Sequence, residues 1–211
     1  MKKIMFNDLF GLTQAVLSGR KTMTRRMIRV PRNAVGEYYT YLTDEEDMNI
    51  DNSFLKSLYD IGEEVAVAQS YKDVISYEYL TPEQEKQVVK EIEKQSAGCT
   101  NKMFVKAELM PNRIRITNIG IQKLQDIPEE DCLKEGVVEC IREIGGAEVK
   151  KYYPSQRHAD ATKEIGWGVV YDTPKAAFAR LIDTVSGVGT WEKNPYAFVY
   201  EFELVKQEEA T

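Results

Sequence analysis

Four side chains able to hold a proton or an anion lie close together near the start of the sequence. Lys21, Thr24, Arg25 and Arg26 fall within six consecutive positions, shortly after Gly19. An amine with cationic neighbours on both sides has a lowered pKa, because like charges disfavour its protonated form. A lysine of that kind can act as a base or as a nucleophile. The alternative interpretation is an exposed basic turn that contributes only to solubility.

Two elements must position this basic segment, a helix before it and a strand after it. The apolar periodicity of residues 7–18 predicts a helix with Asn7 or Asp8 as its N-cap. The helix is expected to end at Gly19, because glycine adopts the left-handed cap conformation without steric cost. The alternation over residues 22–30 predicts a strand. One tight turn would then present the whole basic segment.

The basic segment belongs to a strongly asymmetric charge distribution. The chain of 211 residues has a formal net charge of −6, yet residues 1–36 contain eight Lys or Arg and one Asp. Such asymmetry indicates a local anionic partner rather than a protein that coats nucleic acid along its whole surface. A single nucleotide or a short single strand fits this distribution better than a long duplex.

The cysteines, the single histidine and the short apolar stretches bear on whether the protein binds a metal or a membrane. Cys99, Cys132 and Cys140 lack the spacing of a zinc site, and we expect them to be reduced and partly buried. His158, the one histidine, argues against a His-clustered metal site and is expected in a surface loop. We therefore expect no metal and no cofactor. No apolar stretch could span a bilayer and no signal peptide is evident, which predicts a cytoplasmic protein without a membrane partner.

The pattern of elements predicts one α+β domain over residues 1–211, and it leaves the oligomeric state open. The predicted strands cover 36–41, 63–69, 102–109, 113–124 with a bulge near Gly120, and 196–204 with an aromatic face. The predicted helices cover 81 to about 98, 128–134 and a segment that Thr173 caps and Gly187 ends. Two insertions are expected at about 76–101, a solvent-facing helical arm, and 138–171, an irregular subdomain.

The basic segment also resembles the signature turn of the ASCH family, a branch of the PUA-like proteins. The turn reads Gly19-x-Lys21-Thr22-x-Thr24-x-Arg26. Further segments resemble the family's phage and prophage members in the same order, and together they cover about half of the chain. Those segments are 61–65 leading to Tyr71, Met110 and Pro111 before Arg113, 124–127 reaching Glu135 and Gly136, and 191–196.

The resemblance implies a fold and a ligand. The implied fold is a PUA-like small, mostly antiparallel β-barrel flanked by helices. The implied ligand is RNA or a modified nucleoside or nucleotide, bound in a cleft between barrel and helices. The expected binding residues are Arg20, Thr22, Arg25, Arg26, Tyr71 and Trp191, with Trp167 as a further aromatic side chain suited to stacking a base.

The resemblance also implies an enzymatic alternative, because some small ASCH proteins are amidohydrolases that deacetylate N4-acetylcytidine. Carried onto this chain, the catalytic residues would be Lys21, Thr24 and Glu135. Lys21 would activate water or attack the carbonyl, Thr24 would orient it or hold the oxyanion, and Glu135 would move the proton to the leaving amine. Three acidic neighbours at 129–131 are alternatives to Glu135.

Two further alternatives stay open at this point. Arg26 is expected either to anchor a phosphate or to brace Glu135 through a bidentate pair, which would be a purely structural role. The chain also departs from phage-type relatives, which carry Glu and then Trp where it has Gln69-Ser70-Tyr71. A phage-encoded interaction protein without enzymatic activity is therefore the third interpretation of function.

Overall fold

The computed structural model describes residues 1–30, 40–43, 56–75, 80–165 and 168–205. Within these ranges the chain is α+β, as predicted. The strands are β1 Lys3–Ile4, β2 Met23–Met27, β3 Arg29–Val30, β4 Thr40–Tyr41, β5 Glu64–Val67, β6 Arg113–Lys123, β7 Val138–Ile144, β8 Ala147–Tyr153 and β9 Tyr196–Val205. The helices are α1 Leu12–Leu17, α2 Tyr71–Val74, α3 Pro82–Glu93, α4 Glu129–Lys134, α5 Gln156–Ile165, α6 Pro174–Ser186 and α7 Thr190–Lys193.

The main sheet is mixed and has five strands in the order β1-β5-β6-β9-β2. β1 runs parallel to β5, and the other three pairs are antiparallel. Among the described strands this sheet stays open, with β1 and β2 as its two edges, so no closed barrel is formed there. The edges nevertheless approach each other, since the Arg26 Nη2 of β2 donates to the Met5 carbonyl just after β1 at 2.6 Å.

The long pair of β6 with β9 contains the predicted bulge. The register shifts by one residue between Ile116 and Asn118, which leaves one extra residue on β6. A shift of this kind moves the following side chains to the opposite face. Ile119 and Ile121 thereby share the face of Ile114 and Ile116, since all four pair with alternate residues of β9. Ile114 and Ile116 are fully buried, whereas Ile121, near the end of β6, is 44% exposed.

The main hydrophobic core lies between the five-stranded sheet and the helices α1 and α6. Helix α6 forms as predicted: the Thr173 hydroxyl accepts from the Ala176 amide, Pro174 opens the helix, and Gly187 ends it at φ 108°. Its apolar stripe buries Phe178 and Leu181 against the core. β9 presents the expected aromatic face to the same core, with Tyr196, Phe198, Tyr200 and Phe202 buried.

A second, smaller core explains two differences from the predictions. Helix α3 begins with the predicted capping box of Thr81 and Gln84, but it ends at Glu93 and its Val88 is fully buried in this core. The helix is therefore packed along one face rather than an arm in solvent. The strand predicted over 102–109 is wrong: two 3-10 turns stand there and bury Val105 beside Val88.

The segment 138–171 is also more regular than predicted. β7 and β8 form a hairpin whose turn holds Gly145 and Gly146 at φ 62° and 84°. Two successive glycines with positive φ suit the tight turn that joins twisted antiparallel strands. Helix α5 follows, and His158 lies on it, half-buried with its ring stacked on Phe10, rather than in a surface loop.

Three further expectations concern the strand near 36–41, the cysteines and membrane-spanning helices. The predicted strand near 36–41 falls mostly outside the described residues, although its last two positions form β4. The three cysteines are free, with Cys99 and Cys132 buried. In the described ranges no helix combines the length and the apolar character that crossing a bilayer requires.

Candidate functional site

The turn between α1 and β2 directs the Lys21 side chain inward. Gly19 has a φ of 72°, as expected of a residue just past a helix end. The Lys21 amide then donates to the Ala15 carbonyl at 2.8 Å, which folds the chain back over the end of α1. As a result the Lys21 side chain is only 2% exposed.

Lys21 meets Glu135, which stands at the C-terminal end of α4. The Lys21 Nζ donates to the Glu135 Oε2, to the Glu135 carbonyl and to the Met23 carbonyl, each at 2.7 Å. The main chains dock here too, since the Thr22 amide donates to the Lys134 carbonyl at 3.0 Å. All three N–H bonds of an ammonium thus have an acceptor.

Arg25, rather than Arg26, braces this carboxylate. The Arg25 Nη1 lies 3.2 Å from the Glu135 Oε1, and its Nη2 contacts Asp131 at 3.3 Å and Gln122 at 2.8 Å. The Arg25 side chain is 1% exposed. Its Nε has no hydrogen-bond partner in the described part of the chain. The bidentate bracing expected of Arg26 is therefore replaced by a network centred on Arg25.

Burial dominates the electrostatics of Lys21. Loss of hydration lowers the pKa of its amine, Glu135 opposes that shift, and Arg26 and Arg25 add to it. The sequence analysis correctly predicted a lowered pKa for Lys21. It attributed the shift to the neighbouring cations, whose effect is smaller than that of burial. The 2.7 Å contact between the Lys21 Nζ and the Glu135 Oε2 places two groups of the kinds used in acid–base catalysis side by side.

These residues line one cavity of about 500 Å³, which we call the β2 cavity. It lies beside β2, between the residues that follow β1 and one side of α6. Its charged and polar lining comprises Asn7, Lys21, Thr24, Arg25, Arg26, Arg29, Glu135 and Ser186. Its apolar lining comprises Met5, Phe6, Leu12, Met27, Phe178, Leu181, Ile182 and Val185.

Two lining residues have polar groups directed at no described protein partner. The Thr24 hydroxyl forms no hydrogen bond with any described residue, and the Thr24 side chain lines the β2 cavity. Arg26 donates from Nη2 to the Met5 carbonyl, while its guanidinium lies 5.7 Å from the centre of the Phe6 ring. Hydroxyl and guanidinium groups in a cavity of this size can orient a ligand with oxygen or nitrogen acceptors.

The structure brings together five of the sequence-predicted site residues and leaves four outside. Lys21, Thr24, Arg25, Arg26 and Glu135 line the β2 cavity. The other four do not line it. They are Arg20, Thr22, Tyr71 and Trp191.

Tyr71 has no free ring face for a base to stack on. It is 1% exposed in the second core, its hydroxyl accepts from the Lys106 amide at 3.0 Å, and its ring lies against Gly98. Trp191 packs edge-on to Phe178 at 6.1 Å, as part of the main core. The stacking role expected of Tyr71 is thus replaced by packing, whereas that of the partly buried Trp191 stays a prediction, and Trp167 lies outside the described residues.

Arg20 and Thr22 serve the turn itself. Arg20 donates to the Gly136 carbonyl at 3.3 Å and lines a separate hollow of about 650 Å³ beside α5. Thr22 uses its main chain to join α4 and β9, with its carbonyl accepting from the Phe202 amide at 2.9 Å. Both positions hold the motif in place without reaching the β2 cavity.

The sequence reasoning missed the apolar wall of the β2 cavity. Phe178, Leu181 and Ile182 were predicted as a core stripe of α6, and they are buried, yet they also line the cavity. Phe6 lines the cavity from the opposite side, and no sequence pattern had identified it as a site residue. Among the described residues, no group of three or more His, Cys, Asp or Glu side chains is arranged to hold a metal ion.

Comparison with protein-family models, with curated proteins and with solved structures finds no match to this chain. The geometry of the β2 cavity and the motif resemblance are therefore what support a function.

Proposed function

We propose that this chain is an ASCH-type protein that binds RNA or a modified nucleoside or nucleotide in the β2 cavity. The observation that carries the proposal is the meeting of Lys21, Thr24 and Arg26, from the resembling turn, with Glu135 around one cavity. Glu135 lies more than a hundred residues further along the chain. Residues that only made a basic turn soluble would not need to converge on a cavity.

The size and lining of the β2 cavity support a ligand of nucleoside dimensions. Its volume of about 500 Å³ falls within the usual range for small-molecule sites. One side offers the Thr24 hydroxyl and the Arg26 guanidinium, and the other offers the apolar side chains of α6. A nucleobase has a polar edge and an apolar face, and both would be matched there.

The proposal extends to the fold that the resemblance implies. We propose that the five-stranded sheet is a PUA-like sheet whose two edges approach each other without pairing. The contact between Arg26 on β2 and the Met5 carbonyl after β1 supports this view, because it bridges the open edges. The β2 cavity lies at that junction.

Direct titration tests binding. Calorimetry with cytidine, N4-acetylcytidine and short single-stranded RNA is expected to give a saturable heat for at least one of them. Thr24→Val, which replaces a hydroxyl with a methyl of similar size, is expected to weaken that binding about tenfold. The control Thr100→Val changes an exposed threonine and is expected to leave binding unchanged. Absence of binding to all three ligands would contradict the proposal.

Amide hydrolysis is the second candidate function, and one contact favours it. The Lys21 Nζ and the Glu135 Oε2 lie 2.7 Å apart, and the Thr24 side chain lines the same cavity. An amidohydrolase needs a base for water, a donor for the developing oxyanion and an acid for the leaving amine. These three side chains match those three needs.

The proton balance of this candidate reaction can be followed from the resting pair. The Lys21 ammonium first passes one proton to the Glu135 carboxylate, leaving an amine and a carboxylic acid. The amine takes a proton from water as the oxygen attacks the amide carbonyl, and the Thr24 hydroxyl donates to the oxyanion. Collapse of the intermediate breaks the C–N bond while Glu135 protonates the leaving nitrogen. Cytidine and acetic acid leave, and the ion pair is restored.

Product analysis tests the candidate reaction. Incubation with N4-acetylcytidine, followed by chromatography, is expected to yield cytidine from the wild-type protein. Lys21→Met is expected to lower the rate at least a hundredfold, because the base is removed. No product from the wild-type protein would contradict this function for that substrate. Undiminished turnover by Lys21→Met would contradict the mechanism.

A further inference from the structure

The cations that line the β2 cavity differ in whether a carboxylate contacts them. Lys21 and Arg25 both contact Glu135, and Arg25 also contacts Asp131 at 3.3 Å. Arg26 lines the same cavity, but no carboxylate of the described residues lies within ion-pair distance of it. Its one hydrogen bond there is from Nη2 to the Met5 carbonyl at 2.6 Å.

The Arg26 guanidinium is partly buried without a carboxylate of the described residues in direct contact. The Arg26 side chain lies partly buried against the Phe6 ring, and burial lowers the pKa of the guanidinium. Arginine stays protonated in proteins, so its charge remains there, and Glu135 offsets it only through space, since that carboxylate contacts Lys21 and Arg25. Its Nη1 and Nε groups form no hydrogen bond with the described residues. Each of them shares one edge of the guanidinium with Nη2, and Met5 takes only one of the two N–H groups of Nη2, so one two-donor edge is left for a pair of oxygen atoms.

We propose that Arg26 forms an anion subsite of the β2 cavity that takes the phosphate of a nucleotide, so that the ligand is a nucleotide rather than a nucleoside. This inference deepens the proposed function and rests on it for the identity of the base. Alternation along β2 puts Thr24 and Arg26 on the same face, about 7 Å apart along the strand. The base would lie by Thr24 and Lys21, and the phosphate by Arg26.

The expected contribution of the phosphate can be stated as a ratio of affinities. Hydrogen bonds between charged partners are stronger than neutral ones, and a guanidinium can form two with one phosphate. In calorimetry at low ionic strength, 5′-CMP is expected to bind at least about tenfold more tightly than cytidine. Titration with 3′-CMP distinguishes which phosphate is bound, and inorganic phosphate serves as a probe without a base.

Variants of Arg26 test which side chain is responsible. Arg26→Gln is expected to reduce the advantage of 5′-CMP over cytidine to about twofold or less. Arg26→Lys is expected to retain part of the advantage, because it keeps the charge and loses the planar fork. Arg115→Gln is the matched control, an arginine of the same sheet that pairs with Glu64 at the surface. Thermal unfolding of each variant verifies that it folds.

The outcomes separate this subsite from the proposed function. A phosphate advantage that disappears in Arg26→Gln supports the subsite. No advantage in the wild-type protein, or an advantage that survives Arg26→Gln, overturns it. If cytidine and both nucleotides fail to bind but inorganic phosphate binds in an Arg26-dependent way, the subsite stands and the proposed base does not. If no probe binds, both are overturned.

Discussion

At the residue scale, the Glu135 carboxylate is shared between two buried cations. One oxygen accepts from Lys21 at 2.7 Å and the other from Arg25 at 3.2 Å. A buried carboxylate in this position serves the fold and any chemistry together, because it is the ion-pair partner of Lys21 and one of two for Arg25, beside Asp131. The structural role and the catalytic role weighed for Glu135 are therefore not exclusive.

Neutralising Glu135 should destabilise the fold strongly. Glu135→Gln keeps the shape of the side chain but leaves two buried cations without their shared charge, so we expect a loss of about 3–5 kcal/mol in the free energy of unfolding. Urea denaturation measures the change. Glu130→Gln, at an exposed position on the same helix, is expected to change it by less than about 1 kcal/mol. Equal stability of both variants would contradict the shared-charge interpretation.

The chain has one histidine, so its titration can be read without ambiguity. Burial lowers the pKa of His158 below its ordinary value of 6.5, and Arg180 and Arg157 lower it further. NMR titration of the ring protons is expected to give a midpoint below 6.5. Because the unfolded state binds the proton more readily, the stability linked to His158 is present above 6.5 and is lost as pH falls towards the folded pKa.

The variant Arg180→Gln tests the cause of this shift. It removes one of the two cations that repel the protonated ring, so the midpoint of His158 is expected to move upwards. A midpoint at or above 6.5 in the wild-type protein would contradict the placement of His158 beside Phe10.

At the element scale, two helix ends build the site. The Gly19 end of α1 turns Lys21 inward, and the Gly136 end of α4 brings Glu135 to meet it. Gly136 has a φ of 110°, and a Cβ there would lie 3.0 Å from the Leu12 Cδ2. Close packing at this helix end therefore sets the distance between the two charged side chains.

Adding a methyl group at Gly136 should disturb this meeting point. Gly136→Ala combines an unfavourable φ with a close contact, and we expect a loss of about 1–3 kcal/mol in stability. Any activity that depends on the Lys21–Glu135 pair should fall with it. Gly120→Ala is the control, because nothing lies within 4 Å of the added Cβ. A neutral Gly136→Ala in denaturant unfolding would show that the helix end can move freely.

At the scale of the whole molecule, residues after β1, residues of β2 and residues of α6 line the β2 cavity together. Phe6, just after β1, packs on Phe202 of β9 at 5.8 Å and lies below the Lys21 ammonium at 5.8 Å. The same ring contacts Arg26 of β2. One aromatic side chain thus joins the first strand, the last strand and the site.

Removing this ring should cost stability and also alter the β2 cavity. Phe6→Ala is expected to lower the free energy of unfolding by about 3–5 kcal/mol, as for other buried aromatic residues. Phe104→Ala, at a side chain 59% exposed, is expected to change it by about 0.5 kcal/mol or less. Chemical denaturation compares the two variants. Similar losses for both would contradict the view that Phe6 joins the sheet edges.

Much of the local structure followed from the sequence. Capping residues such as Thr81 and Thr173, the glycine that ends α1 and the bulge on β6 all act within a few residues of themselves. Local steric and hydrogen-bonding rules are sufficient for features of this kind. The segment 102–109 lay beyond those rules, because burial in the second core outweighed its strand-like pattern.

The candidate site could be predicted from the sequence only in part. By itself, the sequence determined that Lys21, Thr24 and two arginines would follow a helix end and enter a strand, because capping and alternation are local. Only the tertiary structure decided that Arg25 contacts Glu135 while Arg26 contacts the Met5 carbonyl, and that Tyr71 is buried. Both arginines alternate along one strand, and which face meets a carboxylate 110 positions away depends on how α4 packs against β2.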